Sequence, residues 1–192
     1  MSTPQIVAAL GPILDLLRKL EVRHFVGGSV ASSAHGVART SVDAGVVAEL
    51  EASHVSAFVA ALRDAYYVPE ERIREAVGRK GSFNLIHLVT MLKVDVFVSR
   101  GRPFDHRALE RRQTTHLEGH PLPISSAEDT VLAKLEWYRK GGEVSERQWM
   151  DVLGVFRASA GALDVPYLRR GARELGVADL LERALGEADL DS

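Results

Sequence analysis

Apolar side chains at Ile6, Leu10, Ile13, Leu14 and Leu17 recur at helical spacing and predict an amphipathic helix over 5–20. His24-Phe25-Val26 reads as a short strand, stopped by Gly27-Gly28-Ser29 and followed by one or two helical turns over 30–35. The valine-rich stretch 41–50 fits a second strand. Ser53 then opens a helix that Val55, Phe58, Val59 and Leu62 carry to Tyr66. Pro69 suits the first turn of another short helix ending near Gly78. Residues 82–90 and 92–99 are two β-prone runs with little between them, the pattern of an antiparallel hairpin. In the second run Val94, Val96 and Val98 alternate with Lys93, Asp95 and Phe97, which puts the two sets on opposite faces. An arginine-rich stretch, 100–112, holds one or two helical turns, and 113–124 reads as an edge hairpin turning at Glu118-Gly119.

Beyond that point the pattern is helical only. Ser126 with Asp129, and Ser145 with Gln148, are capping devices ahead of two apolar-periodic runs, and two further helices are expected over 165–175 and 177–185. The expected class is α/β (α+β), a small mixed sheet flanked by helices over 1–124. A helical C-terminal part, 125–192, packs on it as one compact unit.

Composition narrows the chemistry more than the fold. A chain of 192 residues with 46% hydrophobic and 26% charged positions belongs with soluble folded domains and excludes collagen-like, disordered and coiled-coil descriptions of the whole. The net charge of -2 gives no global basic field to draw the protein onto nucleic acid, so any such contact is local. Cysteine is absent, which removes disulfide scaffolds, thiolate zinc sites and cysteine nucleophiles and leaves oxygen ligands. No apolar stretch approaches the roughly 20 residues of a membrane span, and the first residues lack a signal-peptide pattern. A cytoplasmic location with no membrane partner is the expectation.

Three local features carry candidate chemistry. Gly27-Gly28-Ser29 lies between a strand and a helix, where backbone N–H groups, a hydroxyl and a helix N-terminus suit a phosphate, although a glycine pair there also serves as a plain tight turn. Asp43 and Asp95 lie inside apolar strands, where an unpaired carboxylate is costly to bury; each is either a metal ligand or an edge-strand acid satisfied by an arginine. Lys134 and Asp151 lie on the first two helices of the C-terminal part, where an ordinary solvated helix lysine and helix acid are the plainer readings.

Taken together, Val26-Gly27-Gly28-Ser29, the stretch from Arg39 through Asp43 to Gly45, and Val94-Asp95-Val96 resemble the nucleotidyltransferase fold of the DNA polymerase β superfamily. The resemblance is nearest to bacterial nucleotidyltransferase-like proteins grouped with abortive-infection and toxin-antitoxin systems. It extends over 22–157 by matching Lys134 and Asp151 to a helical lysine and aspartate of that group. It implies binding of a nucleoside triphosphate with Mg²⁺ and transfer of a nucleoside monophosphate to a hydroxyl of RNA, a protein or a small molecule. A cognate antitoxin is an implied partner. In those terms Gly27, Gly28 and Ser29 hold phosphates, Asp43 and Asp95 hold the metal, and Asp95 sits near the attacking hydroxyl. Lys134 steadies the triphosphate, Asp151 orients Lys134 or binds substrate, and Arg39 pairs with Asp43 or with a phosphate.

The resemblance breaks at position 45. The family places a second acid there, and this chain has glycine. A mid-strand glycine also marks a bulge or a close approach, so both accounts of Gly45 stand at this point. Glu49 shares that strand face but lies about 13 Å along the strand from residue 45, too far to replace a ligand. The implied alternative to an active transferase is therefore a non-catalytic nucleotide-binding or toxin-antitoxin interaction module. His116 and His120 read as solvated, the arginines at 100, 102, 107, 111 and 112 as an exposed charged helix, and Trp137, Tyr138 and Trp149 as packing anchors.

Overall fold

A computed structural model describes residues 3–37 and 44–188. The chain divides into two units, Met1–Val30 with Thr40–Ile124, and Ala31–Arg39 with Ser125–Ser192. No described helix is long and apolar enough to cross a membrane.

The first unit is built on a seven-stranded mixed sheet. Its strands are β1 (His24–Gly27), β2 (Ala44–Ala48), β3 (Tyr66–Tyr67), β4 (Ser82–His87), β5 (Lys93–Val98), β6 (Gln113–Leu117) and β7 (His120–Ile124). They lie in the order β3-β4-β5-β2-β1-β7-β6. Strand β2 runs antiparallel to β1 and parallel to β5, and β4–β5 and β6–β7 are the two antiparallel hairpins that the alternation predicts. Helices α1 (Thr3–Lys19), α3 (Ala52–Leu62) and α4 (Glu70–Gly78) pack on one face. The short α2 (Gly28–Ala34) follows β1 directly, and α5 (Pro103–Glu110) precedes the second hairpin.

The period-two pattern decides which face is covered. Val26, Val46, Val96 and Phe83 form one row across four strands on the inner face, and each is almost completely buried. The α1 stripe of Leu10, Ile13 and Leu17 packs there with Phe58 of α3, whose ring meets Phe83 edge-on at 6.1 Å. Each fully buried aliphatic side chain of this kind contributes about 1.5–3 kcal/mol of transfer free energy. One expectation fails: the helix from residue 53 ends at Leu62, and Tyr66 joins strand β3. Tertiary pairing overrides helical spacing there, because Tyr66 and Tyr67 complete the ladder to β4 and the Tyr66 hydroxyl donates to the Ala9 carbonyl at 2.8 Å. Burial pushes the Tyr66 phenol well above its ordinary pKa.

The second unit consists of α6 (Ala127–Lys140), α7 (Glu146–Ala158), α8 (Val165–Leu175) and α9 (Ala178–Glu187), together with the end of α2 and the residues after it. Ser126 and Ser145 cap α6 and α7 by accepting from the Asp129 and Gln148 backbone N–H groups, as the sequence spacing predicts. Gly36 explains the tight seating of the chain after α2. Its φ is +93°, and a Cβ there would lie 2.5 Å from the Ala158 Cβ.

Candidate functional site

The strand register assembles a row on the sheet face opposite the core, exposed at Asn84, partly exposed at Asp95 and buried at Gly45 and Gly27. Asn84 of β4 is opposite Asp95 of β5, Asp95 is opposite Gly45 of β2, and Gly45 is opposite Gly27 of β1. Partnered residues share a face, so a side chain at position 45 would stand beside the Asp95 carboxylate. The ladder runs through Gly45 without a bulge, its φ is not positive, and a Cβ there would meet only the Phe97 ring, at 3.5 Å. Neither the backbone nor the packing demands glycine at this position. What glycine does is leave the position opposite Asp95 on β2 without an acid.

Asp95 is partly exposed, at 23% of its side chain, and it is held from two sides. The Asn84 amide donates to Oδ1 at 2.6 Å, and the Lys93 ammonium lies 3.2 Å from Oδ2. Strand β5 is interior to the sheet, and the partners are an asparagine and a lysine, so the edge-strand acid paired with arginine is not what is found. Asn84 and Lys93 escaped the sequence reading. The signal was present for Lys93, two residues before Asp95 and so on its face. Asn84 needed the inter-strand register, which alternation alone does not supply.

At the end of this row, Gly28 has φ +63° and opens α2, with Ser29 next to it and buried. Glycine is required at 28 because the left-handed backbone there is costly for any residue with a Cβ. Gly27 ends β1 with ordinary backbone geometry. Asp43 and Arg39 lie outside the described residues. Glu49, at the far end of β2, is bound by the Arg23 guanidinium at 2.6 and 2.9 Å. His116 and His120 are exposed, and among the described residues no three His, Asp or Glu side chains gather as a metal cluster.

The second unit holds its own polar centre. Lys134 and Asp151 are 6% and 2% exposed, and the ammonium lies 2.6 Å from the Asp151 Oδ2. Lys134 is therefore a buried ion-paired lysine, not a solvated one. The capping device at the start of α7 also serves this pair, because Gln148, whose backbone caps onto Ser145, accepts a hydrogen bond from the Lys134 ammonium at 3.2 Å. Sequence reasoning took Asp129 for a capping residue and passed over Glu128. Asp129 is 1% exposed and accepts from the Ser126 hydroxyl at 2.8 Å and the Tyr167 hydroxyl at 2.5 Å. Glu128, buried beside it, accepts from the Asp164 backbone N–H at 3.1 Å.

Of the expected packing anchors, Tyr138 and Trp149 are buried with rings 5.3 Å apart, whereas Trp137 is 46% exposed under the Lys140 ammonium. The Trp149 indole N–H donates to Glu187 at 2.8 Å and, with Arg183, holds that carboxyl below the usual range.

No family model matches the chain, and no curated protein matches it. Solved structures do. The antibiotic-resistance factor ANT(2'')-Ia superposes with a TM-score of 0.62 at 16% identity, over 95% of this chain and 98% of its own. The same factor in complex with adenylyl-2''-tobramycin gives 0.55 at 14% identity, over 88% and 97%. An antigenic nucleotidyltransferase-like protein from Paracoccidioides brasiliensis gives 0.56 at 15% identity, over 96% and 92%. The fold is that of the nucleotidyltransferases.

Proposed function

We propose that this chain binds a nucleoside triphosphate with Mg²⁺ on the open face of its sheet and belongs to the enzymes that transfer a nucleoside monophosphate to a hydroxyl acceptor. The observation that carries the reading is the row from Asn84 through Asp95 and Gly45 to Gly27, which ends where Gly28 and Ser29 open α2. The row joins a partly exposed carboxylate to the strand that ends in the glycine turn.

The donor chemistry fits Mg²⁺, which is held by one or two carboxylates together with substrate phosphates and water. Asp95 is the described carboxylate suited to it, with Asp43 as the expected second. Bound there, the ion would neutralise charge on the phosphate oxygens. The chain's own groups do the rest. The Gly28 backbone and the Ser29 hydroxyl hold the β and γ phosphates. Asp95 accepts the hydrogen bond of the acceptor hydroxyl and takes its proton. That oxygen forms a bond to the α phosphorus, the α–β bridging bond breaks, and pyrophosphate leaves with its electron pair. Within the second unit, Asp151 orients the Lys134 ammonium, which the 2.6 Å pair supports.

Gly45 favours a second reading, a nucleotide-binding or toxin-antitoxin interaction module without chemistry, because it removes the acid next to Asp95. The two are separated by Gly45→Asp, whose Cβ would make an ordinary contact with the Phe97 ring at 3.5 Å. Transfer from an α-labelled triphosphate should be slight in the parent and at least tenfold higher in the variant. Equal turnover in both would remove the importance assigned to position 45. Calorimetry with ATP and Mg²⁺ tests the nucleotide premise: no heat of binding at millimolar ligand, in the parent and in Asp95→Ala alike, leaves only an interaction module without nucleotide.

A further inference from the structure

The polar row does not end at Asp95. Beyond Asn84 and Lys93, the open face continues into a cavity of about 590 Å³ bounded by β3, β4 and α4. This is the size of a small-molecule site, and too small for a polymer to be enclosed. Two of its lining side chains, Asn84 and Lys93, are the groups that touch Asp95. A molecule seated in the cavity therefore lies one side chain away from the proposed catalytic carboxylate, across Asn84 and Lys93.

The lining states what such a molecule carries. Arg72, Glu75 and Arg79 follow one another at helical spacing on the α4 side, while Ile73, Ala76 and Val77 face the core. Glu75 is neutralised by Arg79 at 2.9 Å, and Arg72 makes no ion pair among the described residues. Opposite them stand Lys93, 54% exposed, and the rings and methyls of Tyr67 and Ile86, with Tyr67 60% exposed. The cavity thus offers Arg72, with Arg79 and Lys93 shared with Glu75 and Asp95, beside an apolar wall.

From this we infer that the cavity is the acceptor subsite and that its acceptor is a small hydroxyl compound bearing a phosphate. A polycation is excluded, because Arg72, Arg79 and Lys93 would face it with like charge. The phosphate pairs with Arg72 and Arg79, and the remainder of the molecule lies on Tyr67 and Ile86 with a hydroxyl toward Asp95. The inference rests on the nucleotidyltransferase reading, and its test keeps the two apart.

The ¹⁵N-labelled full chain is titrated by NMR at fixed ionic strength with glucose 6-phosphate, glucose, tobramycin and an eight-nucleotide RNA. In parallel, ATP–Mg²⁺ binding is measured by calorimetry on the parent and on the doubly exposed Arg72→Gln/Arg79→Gln variant. Glucose 6-phosphate should shift the Asn84, Ile86 and Lys93 amides at least tenfold more tightly than glucose. The variant should lose that preference while keeping ATP affinity and amide dispersion, and tobramycin should leave these amides unmoved. Equal binding of glucose and glucose 6-phosphate, or a variant that behaves as the parent, overturns the subsite while intact ATP binding spares the nucleotide reading. Tobramycin shifts at these amides overturn the charge argument, and RNA binding tenfold tighter than the sugar phosphate overturns the small acceptor. Absence of ATP binding in both proteins overturns the acceptor role together with the nucleotide reading.

Discussion

Two lysine–aspartate pairs occur among the described residues, and they differ in nearly everything except residue type. Lys93 and Asp95 lie 3.2 Å apart on an open sheet face, with side chains 54% and 23% exposed. Lys134 and Asp151 lie 2.6 Å apart between two helices, at 7% and 3%. Water screens the first pair, so its net worth is about 0–1 kcal/mol and Asp95 can be released to a ligand at little expense. The second pair has already lost its hydration, and removing either partner strands the other charge in a low-dielectric interior. The same chemistry is thus exchangeable in the sheet unit and committed in the helical unit. That is the division expected if Asp95 meets substrate while Asp151 acts through Lys134.

The sharpest way to break the comparison is Asp151→Ala. It should destabilise the helical unit by about 3–5 kcal/mol, whereas the double change Lys134→Met/Asp151→Leu should recover most of the loss. Urea unfolding followed by tryptophan fluorescence reads this unit selectively, because the chain's two tryptophans, Trp137 and Trp149, lie in α6 and α7. A loss below 1 kcal/mol for Asp151→Ala would mean that the pair is not buried in solution.

The sheet unit should respond on its inner face instead. Val96→Ala, on the other side of β5 from Asp95 and fully buried, should cost about 2 kcal/mol through lost transfer energy and a residual cavity. Hydrogen exchange of the β5 amides measures it. On the open face of the same strand, Lys93→Ala should change stability by less than about 1 kcal/mol in the same measurement. If the lysine change exceeded the valine change, the open face would be structural and the contrast between the two pairs would fail.

The smallest expected effect concerns pH. His24 of β1 is buried, and desolvation lowers its pKa below the usual 6.5, against the Val22 carbonyl that its ring nitrogen meets at 2.7 Å. The unfolded chain then binds this proton more readily than the folded one. The contribution is fully present above pH 6.5 and fades as pH falls through the lowered folded value. Urea midpoints taken from pH 7.5 downward should decline below about 6.5. His24→Phe should flatten that decline, and an unchanged slope would assign it to other groups.

Much of this was legible along the chain, for a physical reason. Alternation over 93–98 is a local record of one covered and one open face, so it predicted the hairpin and put Asp95 on the polar side. Capping is equally local, and Ser126 and Ser145 start their helices as the spacing predicted. Non-local matters were not legible. The end of α3 at Leu62 depends on the ladder between Tyr66 and β4, and the burial of Lys134 depends on α7 bringing Asp151 and Gln148 to it.

By itself, then, the sequence determined the element types apart from strand β3, the mixed α/β class, the glycine turn ahead of α2 and the absence of an acid at position 45. Each of these is written in neighbouring residues or in a single residue's identity. Only the tertiary structure decided that Gly45 stands beside Asp95, that Asn84 and Lys93 hold that carboxylate, and that a basic cavity opens next to them. Those facts depend on which strands become neighbours and in what register. That choice is made by the burial of Val26, Val46, Val96 and Phe83 on the opposite face, with the first and third 70 positions apart in sequence, a separation no local pattern spans.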